Sequence, residues 1–189
     1  MVSLSEYQTA QDEPGNSRRR KMKLNLGCGN KKKEGFLGVD LFRCDTVDMV
    51  ADLTANLPFQ DSSIEEILLD NVIEHILYIP LLLKEIHRIC KNGALVTIIT
   101  PHFASHASWR DPTHIHHLSY VSMSHFEKKE TSHYTGGGFK VIERKLSFGG
   151  ILGNIGRLIF LISPKEYEAN FCFVFRPSTL TFVLKVVKD

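Results

Sequence analysis

From Met22 onward the chain alternates short apolar runs with polar turns. Runs of four to eight apolar residues bounded by turn residues predict buried strands at 23–27, 36–40, 48–52 and 64–71. The pattern then changes period. Over 79–90, Leu82, Leu83, Ile86 and Ile89 recur at helical spacing, followed by a near-continuous apolar strand at 94–100. Strand and helix in alternation predict an α/β fold with a mainly parallel sheet. Beyond Pro101 the pattern gives way to a polar, histidine-rich stretch up to Gly138. Two β-rich segments, 139–148 and 170–188, predict an antiparallel hairpin closing one sheet edge, with 151–162 as a helix or lid between them. No internal repeat is visible.

One spacing departs from an ordinary alternation. A parallel crossover takes a dozen or more residues, yet only about seven separate the first predicted strand from the second, and again the second from the third. The first two crossover helices must therefore be shortened to turns, leaving part of the sheet thinly covered. The expected covers are the N-terminal arm, the 149–163 segment or a second subunit in a homodimer. Residues 1–21, polar and ending in Arg18, Arg19, Arg20 and Lys21, read as a flexible basic arm, and 22–189 as one domain.

Composition narrows the function class only by exclusion. The 189 residues are 43% hydrophobic and 23% charged with a net charge of +2, which matches a globular protein and lacks the basic excess a nucleic-acid partner demands. Cys28, Cys44, Cys90 and Cys172 lie far apart with no CxxC pair, which suits a reduced, cytoplasmic protein. No apolar stretch reaches the length of a transmembrane segment, and no secretory h-region opens the chain.

Chemistry first shows in Gly27-Cys28-Gly29, directly after the first strand. Glycines there put unshielded backbone groups at the carboxyl edge of a parallel sheet, where such folds bind ligands; a tight turn would use them too. A dinucleotide fingerprint would need a third glycine where Lys32 stands, and the P-loop spacing is also absent. Both phosphate cradles are excluded. Asp40 ends the second strand, where a carboxylate can accept both hydroxyls of a ribose, Asp52 ends the third, and Asp70-Asn71 the fourth. Each alone could be a cap or a surface carboxylate; three on successive strand ends point to one ligand site.

The motifs "LNLGCG", "GVDL", "VADLTANLPFQDSSIEEILLDNVIEHI" and "LLLKEIHRICKNGALVTIITP" resemble the class I S-adenosylmethionine-dependent methyltransferases, strongly over 23–101 and weakly beyond. The resemblance implies a Rossmann-like three-layer sandwich and S-adenosylmethionine as cofactor. By motif, Gly27, Cys28 and Gly29 would hold the methionine part, Asp40 with the adjoining Leu41 the ribose, Asp52 and Leu53 the adenine, and Asn71 the region of the amino group. His75 would lie near the methyl group.

The segment 100–126 carries His102, His106, His114, His116, His117 and His125 around the only tryptophan, Trp109. Histidine suits general-base work near neutral pH, and His114 or His116, then His75, are the candidate catalytic residues if the acceptor is a hydroxyl. Two other readings stay open: metal binding by His102 with His106 or by His114 with His116, and purely structural hydrogen bonding. No metal is assigned. Arg110 and Asp111 read as a substrate clamp or a surface ion pair, and Lys31 to Lys33 as a solvated turn or an anion lure. The apolar, glycine-spaced 149–162 reads as packing against the sheet or a partner, with membrane-surface association as a lesser reading. The expected function is methyl transfer to an oxygen or nitrogen of a small-molecule or sugar acceptor. The alternative is a catalytically inactive S-adenosyl-binding module or regulatory subunit.

Overall fold

The computed structural model describes residues 22–127 and 136–188. The predicted basic arm lies outside them. Seven strands form one sheet in the order β3-β2-β1-β4-β5-β7-β6. They are β1 (Lys23–Leu26), β2 (Leu37–Asp40), β3 (Met49–Val50), β4 (Ile64–Asp70), β5 (Cys90–Pro101), β6 (Phe139–Phe148) and β7 (Pro177–Val186). The first five run parallel; β7 pairs antiparallel with both β5 and β6. This is the Rossmann-like arrangement with the predicted closing hairpin. No helix joins β1 to β2 or β2 to β3, as the spacing requires.

Alternation sorts the strands into two faces. Leu24, Leu26, Val39, Ile67, Leu69, Val96, Ile98, Phe182 and Leu184 are buried together against α1 (Ile79–Ile89), which contributes Leu82, Leu83, Ile86 and Ile89. Pro80 lies in the first turn of α1, where a missing N–H costs nothing, and the helix ends where Cys90 turns extended and starts β5. The other face is mixed: Lys23 pairs with Glu66 at 2.5 Å, Thr97, Ile99, Thr181 and Val183 are half-buried, and Leu95 is exposed.

Three expectations need correction. Residues 170–176 are not strand: a π-helical turn, Tyr167–Phe171, holds a fully buried Tyr167 whose hydroxyl donates to the Phe175 carbonyl at 2.6 Å, and pairing begins only at Pro177. The second concerns the cover over the sheet. α3 (Gly150–Ile162), after the five-residue α2 (His106–Arg110), packs at the hairpin end, with Gly153 and Gly156 against Phe148 and Phe175 and the Phe160 ring 5.0 Å from that of Tyr120. It does not reach β1 to β3, and Ile151, Leu152, Leu158, Leu161 and Ile162 stay exposed. β3 is also shorter than predicted, since the Asp48 carboxylate takes the Gly38 N–H at 2.7 Å and pairs with Lys32.

Arg88 ties α1 to the 57–61 loop that carries buried Leu57 and Phe59. Its guanidinium donates to both Glu85 oxygens, to the Leu57 and Phe59 carbonyls at 3.0 Å each, and to Asp61. Glu85 also accepts the Leu57 N–H at 2.7 Å. These bonds hold the Glu85 carboxyl below the usual range, Arg88 being the first cause. A carboxyl lowered by folding stabilises the protein at pH above its unfolded value, and that contribution is lost as pH falls through the folded one. We therefore expect the acid limb of a urea-unfolding series to flatten in Glu85→Gln relative to wild type, the difference vanishing at the lowest pH measured.

Candidate active site

At the carboxyl edge of β1 the chain turns through Gly27, whose φ of +66° favours glycine. A Cβ there would stand 2.5 Å from a Val72 methyl. The Gly27 and Cys28 N–H groups both donate to the Val39 carbonyl, at 2.7 and 3.2 Å, clamping the loop to β2. Asp40 completes the clamp: Oδ2 accepts the Gly29 N–H at 2.8 Å and Oδ1 the Phe42 N–H at 3.0 Å. Cys28 is buried, its thiol facing the Thr46 carbonyl at 3.9 Å, and burial raises its pKa.

A cleft of about 340 Å³ opens over this edge. Of the sequence-predicted residues, Gly27, Asp40, Leu41, Asp52, Leu53, Asn71 and His75 line it, whereas Cys28 and Gly29 support it from the loop. Phe42, Thr54, Val72 and Ile76 line it as well, unforeseen because apolar and hydroxyl walls carry no motif. Asp52 Oδ1 accepts the Thr54 hydroxyl at 2.7 Å and N–H at 2.8 Å, which hold its carboxyl below the ordinary range. Asn71, at φ +54°, anchors its N–H to the Ile99 carbonyl at 2.8 Å and its side chain to Asp70 at 2.7 Å. Among the described residues the lining holds two carboxylates and no lysine or arginine. Such a donor set fits a ligand with ribose hydroxyls and positive charge and without phosphate. Lys32 is held by Asp48, and Lys33 lies over the Phe36 ring at 4.7 Å.

At the His75 end, the single turn Ile73–His75 buries Ile73 and Glu74 and leaves His75 exposed. The Glu74 carbonyl accepts the N–H groups of Ile115 and His116, at 3.0 and 3.2 Å, drawing the histidine stretch over the end of β4. The His75 and His114 rings meet edge to face at 4.6 Å. His114 Nδ1 lies 3.0 Å from the Ser108 carbonyl, which can only accept, so Nδ1 carries the proton and Nε2 a lone pair. His75 Nδ1 lies 3.0 Å from Thr113 Oγ1, whose own proton goes to Asp111 at 2.7 Å; Nδ1 is again the donor and Nε2 open. Glu74, 1% exposed, accepts the Thr100 hydroxyl at Oε2, 3.0 Å, while its Oε1 has no partner and lies 3.9 Å from His114 Nε2. Burial raises the Glu74 pKa. Glu74 was missed in the sequence; its one signal is a carboxylate inside the apolar run of 72–77.

The remaining histidines are not gathered here. His102 is fully buried, accepting the Ala104 N–H at Nδ1 (3.0 Å) and facing Glu168 through Nε2 (2.9 Å), a structural role that leaves no nitrogen for His106, which is exposed at the start of α2. His117 bonds Ser108 at 2.8 Å and stacks on Trp109 at 3.7 Å. His116 Nε2 is buried without a partner, outside the Glu74, His75 and His114 group. Asp111 bonds Thr113.

A family model described as a methyltransferase domain matches residues 30–98, from the glycine loop to β5. The match covers 69 of the 189 residues, and over that stretch the chain is similar to a methyltransferase domain. No curated protein matches the chain in sequence. A methyltransferase from Archaeoglobus fulgidus, described as S-adenosylmethionine-dependent, shares the fold with a TM-score of 0.59 at 18% identity, over 96% of this chain and 90% of that one. Phosphoethanolamine N-methyltransferase 2 of Haemonchus contortus, solved with phosphomonomethylethanolamine and S-adenosylhomocysteine, superposes with a TM-score of 0.52 at 14% identity, over 98% of this chain and 53% of that one. The [4+2]-cyclase SpnF also shares the fold, TM-score 0.56 at 11% identity over 89% and 75%. The acidic lining of the cleft, without lysine or arginine among the described residues, is compatible with a cationic, phosphate-free ligand such as S-adenosylmethionine. No helix among the described residues is long and apolar enough to cross a membrane.

Proposed function

We propose that this protein is an S-adenosylmethionine-dependent methyltransferase that modifies an oxygen or nitrogen of a small-molecule or sugar acceptor, admitted where His75 and His114 meet at the end of the cleft. The observation that carries this is the placement of Asp40, Asp52, Asn71 and His75 around one cleft, with His114 directly beyond His75. In this reading the bound cofactor supplies an activated methyl group on a cationic sulfur. Asp40 accepts the ribose hydroxyls with its remaining lone pairs, Asp52 and the Leu53 backbone face the adenine, and the Gly27 turn lies along the methionine part. Val72 and Ile76 exclude water from the methyl end, so that positioning and desolvation lower the barrier. The proton lost by the acceptor leaves toward the open Nε2 atoms of His114 and His75, with buried His116 the less accessible base. Four free thiols support a cytoplasmic, reducing location.

Thermal unfolding with S-adenosylmethionine, S-adenosylhomocysteine, NAD and ATP tests the cofactor reading. Only the two S-adenosyl compounds should raise the midpoint. Turnover is then followed as S-adenosylhomocysteine release with small hydroxyl, amine and sugar acceptors. Binding with no release across that panel would favour the inactive S-adenosyl-binding module, since one fold can carry different functions.

A further inference from the structure

Glu74, His75 and His114 meet beside the cleft with acceptor atoms that the described residues leave without a donor. The Nδ1 protons of His75 and His114 are committed to Thr113 and to the Ser108 carbonyl, which leaves both Nε2 atoms as lone-pair donors. The third is Glu74 Oε1, in a residue 1% exposed and without any partner. Ligand atoms of these three residues lie within 4.8 Å of one another. At 3.9 Å, Oε1 and His114 Nε2 are too far apart for a shared proton to bond them. A buried carboxylate oxygen that has no donor among the described residues, 3.9 Å from one imidazole nitrogen and with a second imidazole within 4.8 Å, is an arrangement that a cation completes.

We propose that Glu74, His75 and His114 form a binding site for a divalent transition-metal ion, zinc being the best fit, with an open coordination position toward the acceptor end of the cleft. Two imidazoles and one carboxylate suit zinc or a neighbouring first-row ion rather than magnesium or calcium, which prefer oxygen ligands. Each ligand is already oriented by an outer partner: Thr113 on His75, the Ser108 carbonyl on His114, Thr100 on Glu74. Metal-ligand bonds of about 2.0–2.2 Å need the three atoms to close by roughly 1 Å, a side-chain rotation. His75 is exposed and gives the ion a way in. An acceptor hydroxyl bound at the open position would lose its proton more readily, to solvent. With the ion in place the His114 and His75 Nε2 lone pairs are its ligands, and the ion replaces them as the activating group. This rests on the proposed function, whereas ion binding itself does not.

The test uses the full chain stripped with EDTA and titrated with zinc chloride by calorimetry, and with cobalt(II) by visible absorption. Wild type should take up one equivalent with an absorption of tetrahedral or five-coordinate cobalt. His114→Gln and Glu74→Gln should each weaken zinc by roughly a hundredfold or more, while His106→Ala, exposed and elsewhere, leaves the affinity unchanged. Where Glu74→Gln does not fold, His75→Asn at the exposed position carries the same expectation. Absence of stoichiometric zinc, or zinc affinity unmoved by His114→Gln, overturns the proposal. S-adenosylmethionine binding is measured in the same variants by thermal unfolding without metal. Zinc uptake without S-adenosyl binding would sink the proposed function and leave the ion site standing, and the reverse result would remove the ion site alone.

Discussion

Asp40→Ala is expected to remove nearly all of the stabilisation that S-adenosylmethionine confers. A ligand at a hundredfold over its dissociation constant stabilises the folded state by about 2.7 kcal/mol, which for a chain of this size raises the midpoint by about 5–10 °C. Hydrogen bonds to a charged acceptor contribute about 1.5–3 kcal/mol each, so losing the ribose partner should weaken binding by roughly a hundredfold. At the same ligand concentration the variant then gains only about 0.4 kcal/mol, near 1 °C by the same scaling. Asp40 also accepts the Gly29 and Phe42 N–H groups, so the substitution also loosens the Gly27–Gly29 loop, which in the proposed function lies along the cofactor. Asp40→Asn keeps one acceptor oxygen and so only one of the two backbone bonds. Intermediate affinity with a ligand-free midpoint as low as that of Asp40→Ala would assign the difference between the two variants to the ribose contact rather than to the loop. Wild-type stabilisation in both variants would contradict the role given to Asp40.

Arg88→Ala should cost about 3 kcal/mol of stability, since it strips a buried carboxylate of its partner, and should lower the midpoint by roughly 6–12 °C. Glu85, 9% exposed, would keep only the Leu57 N–H. The Leu57 and Phe59 carbonyls would lose their guanidinium donors as well, releasing the loop that seats both side chains in the core. Arg88→Lys tests whether charge or shape matters. An ammonium cannot reproduce the planar fork that serves Glu85 and two carbonyls together, so recovery should be partial. A midpoint unchanged in Arg88→Ala would mean that Leu57 and Phe59 hold the loop unaided.

Local pattern was enough for the parallel sheet and for bringing Gly27, Asp40, Asp52 and Asn71 to one cleft at its carboxyl edge. The strand ends at Asp40 and Asp70, the helix 79–89 and the strand 139–148 follow from periodicity, because each element buries one face against the same core. Glycine at 27 follows from the backbone itself: a positive φ and a methyl 2.5 Å from any Cβ leave no other choice. The missing early helices were readable too, since seven residues cannot make a crossover. Tertiary structure decided the rest. Six histidines in one stretch look alike in sequence, and only folding sends His102 to Glu168, His117 to Trp109 and His114 to His75. The carboxylate nearest His114 Nε2, 3.9 Å away, is Glu74, forty residues earlier and hidden among apolar side chains. What a histidine or glutamate can do depends on which neighbours satisfy its donors and acceptors and on how far water is kept out, and both depend on contacts between distant segments that no local pattern records.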